Sequence, residues 1–136
     1  MKYRAIILEI KPCGCGSEGE ISAQLSSGRK IWFYYQGSSD QASQGFPVGD
    51  LVEVELIGEL STAIIIAERS KPFFYQNDTC RFEAFGEISS IESDGEQSLF
   101  VLESDVKLAF DNELGKCPIS VGDYVRVTGE LRAHYL

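Results

Sequence analysis

The chain has 136 residues, of which 43% are hydrophobic, so it can bury one compact core or two small ones that share an interface. Its formal net charge of −9 disfavours nucleic acid and anionic membranes as partners, because both attract basic surfaces. No apolar run approaches the roughly 18 residues of a transmembrane helix, and the run at residues 5–8 is too short for a signal peptide, so we expect a cytoplasmic protein.

Short apolar segments separated by glycine-containing turns fill the first half of the chain and predict β-strands. Residues 26–28, Ser-Ser-Gly, predict a hairpin between the second and third strands. Residues 37–47 are rich in Gly, Ser and Gln, and they predict a long flexible loop rather than a helix. The predicted strands of this half are residues 3–10, 20–25, 30–36, 51–57 and 62–67.

The second half repeats these elements in a shorter form after a connector at residues 71–79. The connector contains three consecutive aromatic residues, 73–75, which we expect to dock at the interface between the halves. Ser104 and Asp105 leave open a short helix in place of the third strand of this half. The predicted elements are strands at residues 82–91, 98–102, 106–110 and 123–135, with a turn at residues 93–96.

Two phrases of sequence occur twice. Residues 19–22, Gly-Glu-Ile-Ser, recur at residues 86–89. Residues 48–60 begin with Val-Gly-Asp and end with Gly-Glu-Leu, and so do residues 121–131. A period of this length suits a small β-domain. We therefore predict an all-β fold with little helix, made of two tandem small β-barrel repeats packed together, at residues 1–70 and 80–136.

The repeated phrase at residues 48–60 and 121–131 resembles the closing strands of oligonucleotide/oligosaccharide-binding (OB) barrels, in which a loop leads into a long curved strand. The resemblance implies two OB-like barrels. It also implies that the second and third strands of a barrel carry a binding platform.

Residues 29–35 are the candidate binding stripe, because they interleave cations and aromatic rings. Nucleic-acid bases stack on such rings, and cations bind phosphates. Alternation places Trp32 and Tyr34 on one face of the strand, and we expect that face to be exposed. The alternative is that both faces are buried. The candidate binding residues are Arg29, Lys30, Trp32 and Tyr34.

Catalysis is not expected, because His134 is the only histidine and no phosphate-binding glycine loop is present. Cys13 and Cys15, separated by one glycine, allow either a soft-metal site or a redox pair. A metal site at these thiols requires Cys80 or Cys117 to fold back onto them. We therefore expect a flexible turn, with no metal and no cofactor.

These observations predict a non-catalytic interaction module whose acidic surface binds another protein. The alternative is single-stranded nucleic-acid binding by the aromatic strand, residues 29–35, which the net charge disfavours. That alternative requires a local basic patch around Lys2, Arg4, Arg29 and Lys30, with Lys11 nearby.

Overall fold

The computed structural model of the protein describes residues 1–94 and 97–134. This part of the chain is mostly strand, with one short helix, which confirms the predicted all-β class. The predicted turn at residues 93–96 and the end of the predicted last strand lie partly outside the described residues. The elements are β1 (Lys2–Pro12), β2 (Glu18–Leu25), β3 (Lys30–Gln36), α1 (Ser39–Gly45), β4 (Leu51–Ile65), β5 (Phe73–Tyr75), β6 (Arg81–Asp94), β7 (Gln97–Glu103), β8 (Leu108–Phe110) and β9 (Tyr124–His134).

The strands of the described residues form one sheet in the order β1-β2-β3-β9-β4-β8-β7-β6-β5. Further pairings of β1 with β4 and of β6 with β9 close this sheet into two rings. Both rings contain β4 and β9, which pair antiparallel with each other. Each ring therefore takes one strand from the other half of the chain, and neither half closes a barrel by itself.

The Val-Gly-Asp phrase makes the same turn in both halves. The N–H of Gly49 donates to the carbonyl of Ile7 at 2.8 Å, and the N–H of Gly122 donates to the carbonyl of Ile88 at 2.8 Å. The two glycines have φ values of +90° and +93°, in the region that favours glycine. A register shift follows directly after Ile7 in β1 and after Ile88 in β6. β1 and β6 therefore share the same turn contact and a register shift at the same place.

The Gly-Glu-Ile-Ser phrase, in contrast, occupies two strands that have different pairing partners. Residues 19–22 lie in β2, which pairs with β1 and β3, whereas residues 86–89 lie in β6, which pairs with β5, β7 and β9. The first residue of each phrase must be glycine for the same steric reason. A Cβ at either would overlap a backbone oxygen of a neighbouring strand, that of Lys11 or that of Glu103.

β4 continues as one strand through the position where the sequence predicts a break. Its register with β9 shifts around Leu60 and Ser61, and Leu60 has a φ of +50°, which is costly for a residue other than glycine. The buried carboxylate of Asp111 holds this bulge. It accepts hydrogen bonds from the N–H groups of Leu60 and Ser61, both at 3.2 Å, and from the Ser61 hydroxyl at 2.6 Å. The bulge lets a single strand contribute to both rings.

A short helix, α1, forms where the sequence predicts a flexible loop. The Ser38 hydroxyl accepts from the N–H of Gln41 at 3.2 Å, and the Gln41 side chain accepts from the N–H of Ser38 at 3.0 Å, which completes a capping box. Phe46, directly after the helix, is buried with its ring 5.5 Å from that of Phe33. Capping and burial thus offset the low helix propensity of this segment. No helix of the described residues is long and apolar enough to cross a membrane.

The connector at residues 71–79 packs between the two halves. Phe74 is buried, with its ring stacked 5.6 Å from Phe82 and 5.7 Å from the Arg29 guanidinium. The Gln76 side chain exchanges two hydrogen bonds with the backbone of Trp32, at 2.7 and 2.8 Å. The connector therefore pairs with the backbone edge of β3 at Trp32. Further along the chain, β8 forms, and the alternative short helix at residues 104–105 does not.

We predict that Asp111→Ala destabilises the fold, because it removes the acceptor of the Leu60 N–H and of the N–H and hydroxyl of the buried Ser61. The free energy of unfolding, measured by urea denaturation, should fall by about 3 kcal/mol. Asp40→Ala is the control, since it removes an exposed carboxylate from the first turn of α1, and it should cost about 0.5 kcal/mol. Equal losses in the two variants would contradict the role assigned to Asp111.

Candidate small-anion site

The four residues of the predicted binding stripe do not form one exposed surface. Trp32 is only 5% exposed, and the Gln76 side chain of the connector binds its backbone. The ammonium groups of Lys30 and Lys11 lie 5.0 and 5.3 Å from its ring centroid. The expected exposure of Trp32 is therefore wrong, and the alternative, burial on both faces of β3, holds at this residue.

Tyr34 and Arg29 are already engaged with other residues of the chain. The Tyr34 hydroxyl donates to the Glu18 carboxylate at 2.6 Å, and the Arg132 guanidinium lies 4.5 Å from the centroid of the Tyr34 ring. Arg29 pairs with Asp105 at 3.1 Å. The face of the Tyr34 ring that contacts the Arg132 guanidinium is thus occupied. The charge of Arg29 lies next to Asp105, whereas that of Lys30 lies over the Trp32 ring.

A cleft at the start of β1 concentrates cations in this otherwise acidic chain. It has a volume of about 490 Å³. Among the residues that line it, the cations outnumber the carboxylates, because Asp105 is the one carboxylate of this lining. Asp105 is itself paired with Arg29. The cleft thus carries a positive charge although the whole chain has a net charge of −9. The polar residues that line it besides Asp105 are Lys2, Tyr3, Arg4, Ser26, Ser27 and Lys107.

Three separate segments supply the polar lining of this cleft. Lys2 and Arg4 share the exposed side of β1, because residues two apart in a strand face the same way. The turn between β2 and β3 contributes the hydroxyls of residues 26–27. The segment before β8 contributes Lys107, whose backbone carbonyl accepts a hydrogen bond from the Tyr3 hydroxyl. Burial raises the pKa of Tyr3, so this hydroxyl remains a donor that ties β1 to the segment before β8.

Arg4 is the cation of the cleft that forms no ion pair within the described part of the chain. The Lys2 ammonium lies 3.8 Å from Glu53, and the Lys107 ammonium lies 3.2 Å from Glu103. All four of these side chains are about half exposed, so the two pairs are weak. Glu53 faces Arg4 in the register of β1 and β4 but pairs with Lys2. A free guanidinium is a planar donor that binds oxyanions with two parallel hydrogen bonds.

The fold and this cleft define a small OB-like β-barrel protein with a basic cleft. Comparisons of the sequence with protein-family models and with curated proteins find no match. Among solved structures, the chain is similar to the cytoplasmic molybdate-binding protein ModG, in a crystal form with molybdate bound. The match covers 96% of this chain and 89% of that one, with a TM-score of 0.51 and 12% sequence identity. This likeness supports the predicted small β-barrel fold.

The comparison corrects the predicted function. The structural neighbour binds a small ligand, molybdate, and it therefore contradicts the expectation of a module that binds another protein. The alternative, nucleic-acid binding through residues 29–35, loses its stacking platform, because Trp32 is buried and Tyr34 is covered by Arg132. Sequence reasoning missed Lys107, since nothing in its local sequence relates it to Arg4. Lys2 and Arg4 were recognised only as members of a required basic patch.

We predict that the Tyr34 phenol resists ionisation. Its hydrogen bond to the Glu18 carboxylate raises the pKa of Tyr34 to about 12, because ionisation would place two negative charges side by side. The difference in absorbance at 295 nm between the wild type and Tyr34→Phe should stay flat from pH 9 to 11 and rise only near pH 12. In a Glu18→Gln background the same rise should occur at lower pH. A rise at an unchanged pH in that background would contradict the assigned cause.

Proposed function

We propose that the protein binds a small tetrahedral oxyanion, of the chemical class of molybdate, in the cleft around Arg4, Lys107 and residues 26–27. The observation that carries this proposal is the guanidinium of Arg4, which has no ion-pair partner among residues 1–94 and 97–134 and lies in a positively charged cleft, on a fold similar to that of a molybdate-binding protein. The proposal concerns a binding protein rather than an enzyme. It also keeps the cytoplasmic location that the sequence analysis expected.

The groups in the cleft suit an oxyanion chemically. The Arg4 guanidinium offers two parallel donors, and the ammonium groups of Lys2 and Lys107 add charge without fixed geometry. The hydroxyls of residues 26–27 are neutral donors that can approach the remaining oxygens. The cleft is larger than one such anion, and bridging water can fill the remaining space.

The overall acidity of the chain does not oppose this proposal strongly. At an ionic strength of 0.15 M the Debye length is about 8 Å, so exposed carboxylates farther away than this are largely screened. Charges that touch the ligand act at contact distance and are screened much less. The affinity of the cleft is therefore set by the groups that line it.

We also infer that the two halves of the chain are tandem copies of one β-unit. The equivalent turns at Gly49 and Gly122, and the equivalent register shifts in β1 and β6, support this inference. In that correspondence, Lys2 and Arg4 are replaced by Glu83 and Phe85, which cannot bind an anion through charge. The proposed site therefore belongs to one copy, and one anion is expected per chain.

Isothermal titration calorimetry tests this proposal at neutral pH in 150 mM NaCl, with molybdate, tungstate, sulfate and phosphate as separate ligands. Arg4→Gln should weaken binding of the preferred oxyanion at least about tenfold, because it removes a charged pair of donors. Lys107→Gln should weaken it less, since this ammonium is shared with Glu103. Lys116→Gln, an equal loss of charge outside the cleft, should leave binding unchanged.

Two results would overturn the proposal. One is the absence of saturable binding of any of the four oxyanions at millimolar concentration. The other is equal weakening by Arg4→Gln and Lys116→Gln, which would mean that only the net charge matters. Circular dichroism and thermal melting establish that each variant is folded before it is titrated.

A further inference from the structure

A second cluster of ligand-type side chains lies at the opposite end of β1 from the cleft. β1 has 11 residues, so its two ends are roughly 33 Å apart. The loop that follows it contains Cys13 and Cys15, whose sulfur atoms are 2.7 Å apart, and the N–H of Cys13 donates to the carbonyl of Glu18 at 2.8 Å. Both sulfurs and a carboxylate oxygen of Glu18 lie within 4.8 Å of one another. The loop thus folds three potential ligands onto one point.

We propose that Cys13, Cys15 and Glu18 bind a thiophilic divalent cation such as Zn²⁺. Thiolate and carboxylate groups are among the ordinary ligands of Zn²⁺, and three protein ligands leave a fourth position open to water or a small molecule. The proposal is independent of oxyanion binding at the other end of β1. It also departs from the sequence-based expectation of no metal, because the third ligand is Glu18 rather than Cys80 or Cys117.

The loop has room to make the small adjustment that a metal requires. Tetrahedral coordination at Zn–S distances of about 2.3 Å separates two sulfurs by about 3.8 Å, so the thiols must move apart by about 1 Å. Both cysteines are exposed. Gly14 and Gly16 have no other atom within 4 Å of the position of a Cβ, and Gly16 has a φ of +77°. The thiols can therefore move apart without displacing packed neighbours.

The Glu18 carboxylate is already oriented for this role. One of its oxygens accepts the hydrogen bond from the Tyr34 hydroxyl at 2.6 Å, and within the described part of the chain no donor competes with a cation for the other oxygen. Metal-binding carboxylates are usually held by such a hydrogen bond from a second residue. The Arg132 guanidinium, 4.5 Å from the ring centroid of Tyr34, in turn fixes the tyrosine. Tyr34 is thus a positioning residue for the proposed site.

The electrostatic surroundings favour a cation over an anion. A cavity of about 320 Å³ adjoins Cys13 and is lined by three carboxylates, those of Glu18, Glu20 and Asp78, against one ammonium, that of Lys11. A divalent cation balances this excess of negative charge, whereas an oxyanion would add to it. The two ends of β1 therefore have opposite charge preferences.

The test is a Cd²⁺ titration of the metal-free protein, kept reduced with a phosphine, in which the ultraviolet thiolate-to-cadmium charge-transfer band is recorded. Zn²⁺ is then added to displace Cd²⁺. We expect saturation at one ion per chain and loss of the band on addition of Zn²⁺. Cys13→Ser and Cys15→Ser should each weaken Cd²⁺ binding at least about 100-fold. Glu18→Gln should weaken it about tenfold, and so should Tyr34→Phe.

Cys117→Ser is the matched control, because it removes another exposed free thiol and should leave the titration unchanged. The proposal is overturned if no saturable band appears, or if Cys117→Ser lowers the affinity as much as Cys13→Ser. It is also overturned if mass spectrometry shows that Cys13 and Cys15 form a disulfide that persists in the reductant. Unfolding curves of the serine variants establish that any loss of binding occurs in folded protein.

Discussion

The rest of the structure depends on one interaction, the hydrogen bonding of the β4 bulge to the carboxylate of Asp111. β4 pairs with β1 along its first residues, with β9 along its second part and with β8 at Gly58, so it belongs to both rings. A regular strand twists too uniformly to meet these partners, and a bulge supplies the extra bend. The bulge leaves the N–H groups of Leu60 and Ser61 without a partner strand, and an unpaired N–H group is costly at the buried Ser61. One carboxylate from the segment after β8 satisfies them and thereby ties the halves together.

A second constraint acts where β4 and β9 cross. Glu59 and Glu130 face each other in register, and like charges in directly opposite positions destabilise a sheet. Arg132 relieves this repulsion, with guanidinium nitrogens 2.6 Å from the Glu130 carboxylate and 3.6 Å from that of Glu59. The same guanidinium covers the ring of Tyr34, which binds Glu18. The charge balance at the crossing is thus connected to the cysteine loop through one side chain.

The sequence predicts the features that depend on neighbouring residues in the chain, such as strands and turns. It does not predict the features that depend on contacts between distant segments. The strands and the Val-Gly-Asp turns follow from alternation and from the need for glycine at positive φ, as at Gly49. Alternation shows which residues share a face but not what covers that face, so it does not predict the burial of Trp32. Helix α1 depends partly on the burial of Phe46 against β3. The cleft depends on Arg4 and Lys107, which are far apart in sequence and meet only in the folded chain.

The sharing of strands between the rings also imposes an order of assembly. β3 pairs with β9, and β9 is the last of the described strands to be synthesised. Until β9 arrives, the first half of a nascent chain has strands without their final partners, and such edges invite pairing with other chains. Contacts between such distant segments also slow folding, since a long loop must close before they form. The architecture therefore delays closure of both rings until β9 has been synthesised, and protection of the strand edges matters most in the period before that.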